Sequence, residues 1–330
     1  MNTNAREIVL SGIRPTGAAH LGNYVGALRN WVRLQETHDC YFSIVDWHAL
    51  SSEYANPRSI RESVFDLACD LLSLGLDPEK CVLFVQSGVK EHAELHLILS
   101  MITPLPWLER VPTFKEQQQE LADKELNTYG FLGYPLLQTA DILIYKAAAV
   151  PVGEDQATHL EFAREIARRF NRLYGPVFPE PKMLLTEVPK LAGTDGRKMS
   201  KSYGNAIYLK DTAEVIRAKI APMVTDTRRK RRSDPGEPND CPVFTLHKAF
   251  VAPAARDALA VGCRAASVGC LECKKVVIDS LVEFLTPYWE NRKALEAEPG
   301  RVWDILEAGN SRAARTARKT MEDVRSAIGF

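Results

Sequence analysis

The 330-residue chain has few of the features that would take it out of the ordinary globular class. It has no excess of either charge: 42 Lys+Arg stand against 42 Asp+Glu. That balance removes the simplest argument for a nucleic-acid or membrane partner, while leaving local patches open. No apolar run approaches the roughly 20 residues of a membrane span. Met1 to Gly12 holds no stretch of signal-peptide length, so export is not expected and a cytoplasmic protein is. There is no internal repeat and no low-complexity tract. Cysteine is sparse, at seven residues scattered over a long chain, an odd count that argues against a disulfide scaffold and for a reducing compartment. What remains is 45% apolar and 25% charged, as in globular proteins. The length exceeds what one core usually organises, so two domains are expected.

The first half alternates short apolar runs with longer amphipathic ones. Ile8-Val9-Leu10 reads as a buried strand, followed by a glycine and proline loop through Gly17. Leu21, Val25, Leu28 and Val32 then recur at helical spacing, with Tyr24 and Trp31 on the same face. Tyr41 to Val45 and Cys81 to Val85 read as strands, with a helical stretch from Arg58 to Leu74 between them, ending at Gly75. Val89 to Arg172 is mostly helical, broken by Pro104, Pro106, Pro112 and Pro135, and Val150-Pro151-Val152 forms a further short strand. Leu184-Leu185 precedes a loop from Pro189 to Asn205, and after Asp211 the chain is helical apart from a linker, Arg228 to Asp240. The expected class is α/β: a Rossmann-like, doubly wound parallel sheet over residues 1–204, then an all-helical domain over 205–330 whose last helices can pack back on the first. Ligands are expected at the carboxyl ends of the strands.

Two loops point to a nucleotide. Pro15 to Asn23 lies between a strand and a helix, where unpaired N–H groups and the positive dipole end favour phosphate. Gly17 and Gly22 allow close backbone approach, and His20 and Asn23 can donate hydrogen bonds; by itself this is ordinary turn chemistry. Lys198-Met199-Ser200-Lys201-Ser202 places two lysines three apart in a glycine-flanked segment, whose ordinary reading is a solvated basic loop. Together the loops resemble the signatures of class I aminoacyl-tRNA synthetases, a His-Ile-Gly-His-like element and a Lys-Met-Ser-Lys-Ser loop. The second matches letter for letter; in the first, Asn23 stands where the consensus has histidine.

The neighbouring residues narrow the family. Gly12-Ile13-Arg14-Pro15-Thr16-Gly17, Val45-Asp46-Trp47-His48-Ala49-Leu50, Tyr134-Pro135-Leu136-Leu137-Gln138, Ala140-Asp141-Ile142-Leu143 and Gly153-Glu154-Asp155-Gln156 resemble, in order, motifs of bacterial tryptophanyl-tRNA synthetases. Arg14 departs from the glutamine of many bacterial members. The resemblance implies activation of L-tryptophan by ATP and Mg²⁺, then transfer to tRNA(Trp) by a homodimer with no membrane association. It implies catalytic roles for Lys198, Lys201, Thr16 and His20. ATP contacts are implied for Arg14, Pro15, Thr16, His20, Gly22 (making room for the adenine), Asn23, Gly153, Glu154, Asp155, Gln156, Val188 and the Lys198–Ser202 loop. Tryptophan contacts are implied for Asp141, His48, Tyr134 and Gln138, with Asp141 accepting the indole N–H. A donor at that place is lacking in tyrosine and phenylalanine, so such a site rejects them without editing. Tyrosyl-tRNA synthetase is the nearest competitor, and an inactive synthetase-like RNA-binding or regulatory protein the rival from another class.

Cys241, Cys263, Cys270 and Cys273 are separated by 21, 6 and 2 residues, a set that suits zinc or an iron–sulfur cluster. Spacing does not decide between them. The pattern, with Arg231 to Gly236 before it, resembles a subset of the family with a C-terminal [4Fe-4S] cluster, with Zn²⁺ as runner-up. Cys40, Cys69 and Cys81 lie in apolar runs as inert core residues. Lys190 to Pro235 holds 12 Lys+Arg and 5 Asp+Glu, including Arg228 to Arg232, and Arg312, Arg315, Arg318 and Lys319 form a second basic stripe; both are candidate phosphate-facing surfaces.

Overall fold

The structure is a computed structural model that describes residues 6–111, 127–153, 157–185 and 191–330. Five parallel strands form one sheet in the order β3-β2-β1-β4-β5: β1 (Ile8–Ile13), β2 (Asp39–Ile44), β3 (Cys81–Val85), β4 (Ala149–Val152) and β5 (Lys182–Leu185). The first four lie where the apolar runs place them. The fifth, Lys-Met-Leu-Leu, is a four-residue edge strand with no alternation to announce it, and it reads in sequence as no more than the approach to a loop.

The centres of β1 to β4 are buried on both faces, which is why they read as short apolar runs. Val9, Phe42 and Leu83 point into one core layer and Leu10, Val82 and Phe84 into the other. The first layer is closed by helix α1 (residues 21–34), α3 (Arg58–Ser73) and α10 (Cys270–Ala297); α2 is Asp46–Glu53. The second is closed by α4 (Glu91–Ser100), α5 (Tyr134–Ile144), α6 (Ala157–Tyr174) and α11 (Pro299–Ile328). Between them in sequence lie α7 (Ala213–Ile220), α8 (Pro242–Phe250) and α9 (Pro253–Arg264). The last two helices thus belong to the same cores as the sheet. Cys40, Cys69 and Cys81 are buried as expected, and burial pushes Cys40 and Cys81 up to about 12.

Helix α11 seals the free edge of β3, a device that removes an unpaired strand edge. Asn310 Oδ1 accepts the Val85 N–H at 2.9 Å, and Arg312 Nη1 donates to the carbonyls of Cys81 (3.1 Å) and Pro78 (2.6 Å). Gly309 makes the approach possible, since a Cβ there would lie 1.8 Å from the Leu83 carbonyl oxygen. Of the second basic stripe, Arg312 is thus engaged by backbone carbonyls, while Arg318 stays largely exposed and pairs with Glu91 at 3.1 Å. The strand order reverses between β1 and β4, and the crevice outside their carboxyl ends is where such sheets bind ligands. Among the described residues, no helix is long and apolar enough to cross a membrane.

Candidate active site

A cavity of about 350 Å³ opens at that reversal, floored by Leu10 to Gly12 of β1 and Val150 to Gly153 at the end of β4. Helix α1 contributes Gly26 and Ala27 from a π-helical turn, Tyr24–Leu28, which opens the helix on its cavity side. Helix α5 supplies Tyr134, Gln138 and Asp141, whose i, i+4, i+7 spacing puts them on one face, and α2 supplies His48. All four residues expected to meet the amino acid therefore line one space, together with Arg14 and Gly153.

Asp141 is buried yet well supplied with donors. His92 Nδ1 lies 2.6 Å from Oδ1 and His48 Nε2 lies 3.0 Å from Oδ2. Gln86 Nε2 donates to both oxygens, at 2.8 and 2.9 Å. Burial alone raises the carboxyl's pKa, but the hydrogen bonds and charge of His48 and His92 outweigh it and hold the group well below the usual carboxylate range. The site thus keeps a fixed anion in an apolar cavity. Sequence reasoning missed Gln86 and His92, and also His159, whose Nδ1 lies 2.6 Å from Gln138 Oε1 and whose ring lines the cavity. Gln86 follows β3 directly, and a polar residue at the carboxyl end of a parallel strand was the available signal. His92 and His159 are single histidines on helices, with no such signal.

A second cavity, about 220 Å³, lies between the two glycine loops and is lined by Thr16, His20, Asn23, Ser200 and Lys201, with Arg14 shared between both cavities. His20 and Asn23 form a reciprocal cap: Asn23 Oδ1 accepts the His20 N–H at 3.0 Å, and His20 Nδ1 accepts the Asn23 N–H at 3.2 Å. Asn23 is therefore a capping partner where the consensus has histidine. Burial, and secondarily Lys201, push the His20 imidazole down to about 4, so near pH 7 it is neutral, with Nε2 carrying the proton. Gly22 is filled from within the loop, because a Cβ there would meet the His20 ring at 2.9 Å. Lys201 crosses between the loops, its ammonium donating to the carbonyls of Thr16 (3.1 Å) and Gly17 (2.9 Å). Arg14 Nη2 donates to Ser52 Oγ, while its Nε is buried without a partner among the described residues.

The rest of the lysine loop is not gathered into this cavity. Lys198 and Ser202 are exposed, Met199 is a core side chain, and Pro15 is buried behind the first loop. The loop is shaped by Asn205, a residue the sequence did not single out: its Oδ1 accepts the Ser200 N–H (2.8 Å), and its Nδ2 donates to Asp195 Oδ1 (2.7 Å) and the Lys198 carbonyl (3.1 Å). Glu154, Asp155, Gln156 and Val188 lie outside the described residues.

The four cysteines of the metal expectation come from three places: Cys241 just before α8, Cys263 in α9, and Cys270 and Cys273 in the first turn of α10. Cys273 Sγ lies 3.1 Å from His247 Nε2, and Arg229 Nη1 lies 3.8 Å from Cys263 Sγ. Burial, then the other three thiols, push Cys273 up to about 12. The donor chemistry fits a thiolate-bound centre, but among the described residues no three Cys, His, Asp or Glu side chains form a ligand shell. The basic run is also partly consumed: Arg228 pairs with Asp226 and Asp240, Arg229 donates to the carbonyls of Arg232 and Val268, and Arg232 pairs with Glu272. Lys230 and Arg231 are exposed and form no ion pair with another described residue.

Comparison with known proteins agrees with this geometry. A family profile described as tRNA synthetases class I (W and Y) matches residues 1–286. A tryptophan–tRNA ligase of Thermotoga maritima is 52% identical over 324 residues, covering 98% of this chain and 99% of its own length. One from Aquifex aeolicus is 44% identical, with 98% and 99% covered. The crystal structure of a tryptophanyl-tRNA synthetase from Campylobacter jejuni, complexed with ADP and tryptophan, superposes with a TM-score of 0.88 at 33% identity, covering 98% of this chain and all of that one.

Proposed function

The chain belongs to the class I tRNA synthetases for tryptophan and tyrosine, and from that membership we infer how its two cavities divide the work. It is a tryptophan–tRNA ligase, joining L-tryptophan to tRNA with ATP. The larger cavity takes the amino acid and adenosine, and the smaller one takes the phosphates. The observation that carries this division is Asp141, an ionised carboxylate in the wall of a mostly apolar cavity of about 350 Å³. The indole N–H meets Oδ2, where His48 makes the longest of the four contacts. Tyr134, Gln138 and His159 line the same space.

The tryptophan carboxylate attacks the α-phosphorus of ATP; the new C–O–P bond forms as the bond to pyrophosphate breaks. The nucleophile is already ionised, so no general base is needed, and the site must align the reactants and neutralise charge. Arg14, at the junction of the two cavities, faces the place where carboxylate and α-phosphate meet. Lys201, Thr16 and the Nε2–H of His20 serve the leaving phosphates, and Lys198 reaches them when its loop closes. Mg²⁺, general to class I synthetases, supplies further charge neutralisation. A terminal ribose hydroxyl of tRNA(Trp) then takes the aminoacyl group and releases AMP.

Residues 1–204 form the catalytic unit and 205–330 the tRNA-binding one, its last helices packed back on the sheet. Lys230 and Arg231 are the members of the basic run left for phosphate contact. Cys241, Cys263, Cys270 and Cys273 hold a [4Fe-4S] cluster, with Zn²⁺ as runner-up, that pins α8, α9 and α10 together and takes no part in the reaction. The protein acts as a homodimer in the cytoplasm with its tRNA, a reading supported by the individually exposed apolar side chains Leu97, Met101, Leu105 and Tyr129. Amino-acid-dependent ATP–pyrophosphate exchange tests the reading: tryptophan supports exchange and tyrosine does not, and exchange with tyrosine alone would overturn it.

A further inference from the structure

The backbone of the first loop is gripped on both sides of one residue by contacts that trace back to a helix far away in sequence. Ala19, just before His20, donates its N–H to Asp70 Oδ2 at 3.1 Å, and its carbonyl accepts the Leu209 N–H at 3.0 Å. Both grips lead to α10. Asp70 Oδ1 accepts the Tyr288 hydroxyl at 2.5 Å and the guanidinium of Arg292, while the Leu209 carbonyl accepts Trp289 Nε1 at 2.9 Å. Arg292 is fixed in turn by Asp66, through Oδ1 at 2.8 Å and the carbonyl at 3.0 Å, and by Glu296 Oε1 at 2.8 Å. Asp70, Tyr288 and Arg292 are each at most 5% exposed. Burial and the Asp70 charge push the Tyr288 phenol well above its usual range, so it donates and Asp70 accepts.

A buried ion pair is weak support for stability, because desolvation offsets most of its attraction, and such pairs are better at fixing geometry. Here the group that is fixed carries the phosphate-facing loop. Lys201 binds the carbonyls of Thr16 and Gly17, so both loops inherit the position of Ala19. The network does not touch the cavity of Asp141. Tyr288 lies 15 residues along α10 from Cys273, about 22 Å at 1.5 Å per residue. One helix therefore runs from the cysteine-bearing end to the residues that hold the ATP loop.

We propose that Asp70, Tyr288 and Arg292 are positioning residues for the activation step, through which α10 sets the first loop's backbone against the phosphates. The proposal rests on the synthetase reading above. The test is tryptophan-dependent ATP–pyrophosphate exchange on the full chain for Asp70→Asn, Tyr288→Phe and the double variant, with thermal unfolding alongside. Asp70→Asn keeps an acceptor for Ala19 but loses the pull of Arg292, and we expect kcat to fall roughly 10- to 100-fold. Tyr288→Phe falls about fivefold, and the double variant falls less than the product of the two, as coupled residues require. The KM for tryptophan stays within about twofold throughout, because its pocket is separate. Folded variants with wild-type kcat would overturn the proposal, as would losses in kcat and tryptophan KM that simply track lost thermal stability. A wild-type protein without tryptophan-dependent exchange would overturn the parent reading, and this one with it.

Discussion

His92 Nδ1 lies 2.6 Å from Asp141 Oδ1, and the other nitrogen of the same ring lies 2.7 Å from the Tyr145 hydroxyl. Burial pushes the Tyr145 phenol well above its usual range, so the hydroxyl keeps its proton beside His92 Nε2. His92 thereby bridges Tyr145 and Asp141, with its Nδ1 aimed at the carboxylate. This relay orients the acid that reads the indole.

Replacing His92 by alanine removes one of the donors that keep Asp141 ionised and in place. A buried carboxylate short of a partner costs on the order of 1–3 kcal/mol, so tryptophan KM rises about 10- to 100-fold with ATP KM changed little. Steady-state exchange kinetics check this. Equal increases in both Michaelis constants would point to general damage instead.

Lys201 and Lys198 are expected to act on the phosphates and not on the amino acid. Lys201→Met loses both the charge and the bridge to Thr16 and Gly17, and kcat for exchange falls about 100- to 1,000-fold. Lys198→Ala lowers the rate of adenylate formation far more than it weakens tryptophan binding, as rapid-quench and equilibrium titration would reveal. An unchanged exchange rate would remove the lysine from the mechanism.

Acid should weaken the fold through His20. Its folded pKa is about 4, against about 6.5 for an unfolded histidine. Between those values the unfolded chain binds more protons, so stability rises with pH across that window and is lost on acidification through it, levelling off below about 4. Urea unfolding at pH 4 to 7 gives the slope. His20→Gln, which cannot take up the proton, is expected to flatten it, and an identical slope would contradict the assignment.

Gly309 supports the C-terminal helix. A methyl group there meets the Leu83 carbonyl at 1.8 Å, so Gly309→Ala must push α11 off β3. The expected loss is about 2–4 kcal/mol, read by chemical denaturation. Neutral behaviour would mean that the helix does not seal this edge.

Much of the sheet was legible because strand centres buried on both faces must be apolar, and those of β1 to β4 are. The amino-acid pocket was legible through one helix, since Tyr134, Gln138 and Asp141 share a face by spacing alone. The partners that define the pocket's chemistry were not, because Gln86, His92 and His159 come from three other elements and meet Asp141 or Gln138 only after folding. The same holds for Asp70 and Arg292, 222 residues apart and joined in the core. The local partners of the charge runs were equally hidden. Arg232 and Arg312 find acceptors, Glu272 and the carbonyls of Pro78 and Cys81, that only folding brings near, although Arg232 stays exposed.

The account's central claim is that Asp141 recognises an indole nitrogen, and a tryptophan analogue with sulfur in place of that N–H tests it most directly. With β-(3-benzothienyl)alanine in ATP–pyrophosphate exchange, kcat/KM is expected to fall at least about 100-fold relative to tryptophan, and Asp141→Ala to erase most of that difference. Equal kcat/KM for the two amino acids in the unmodified protein would contradict it.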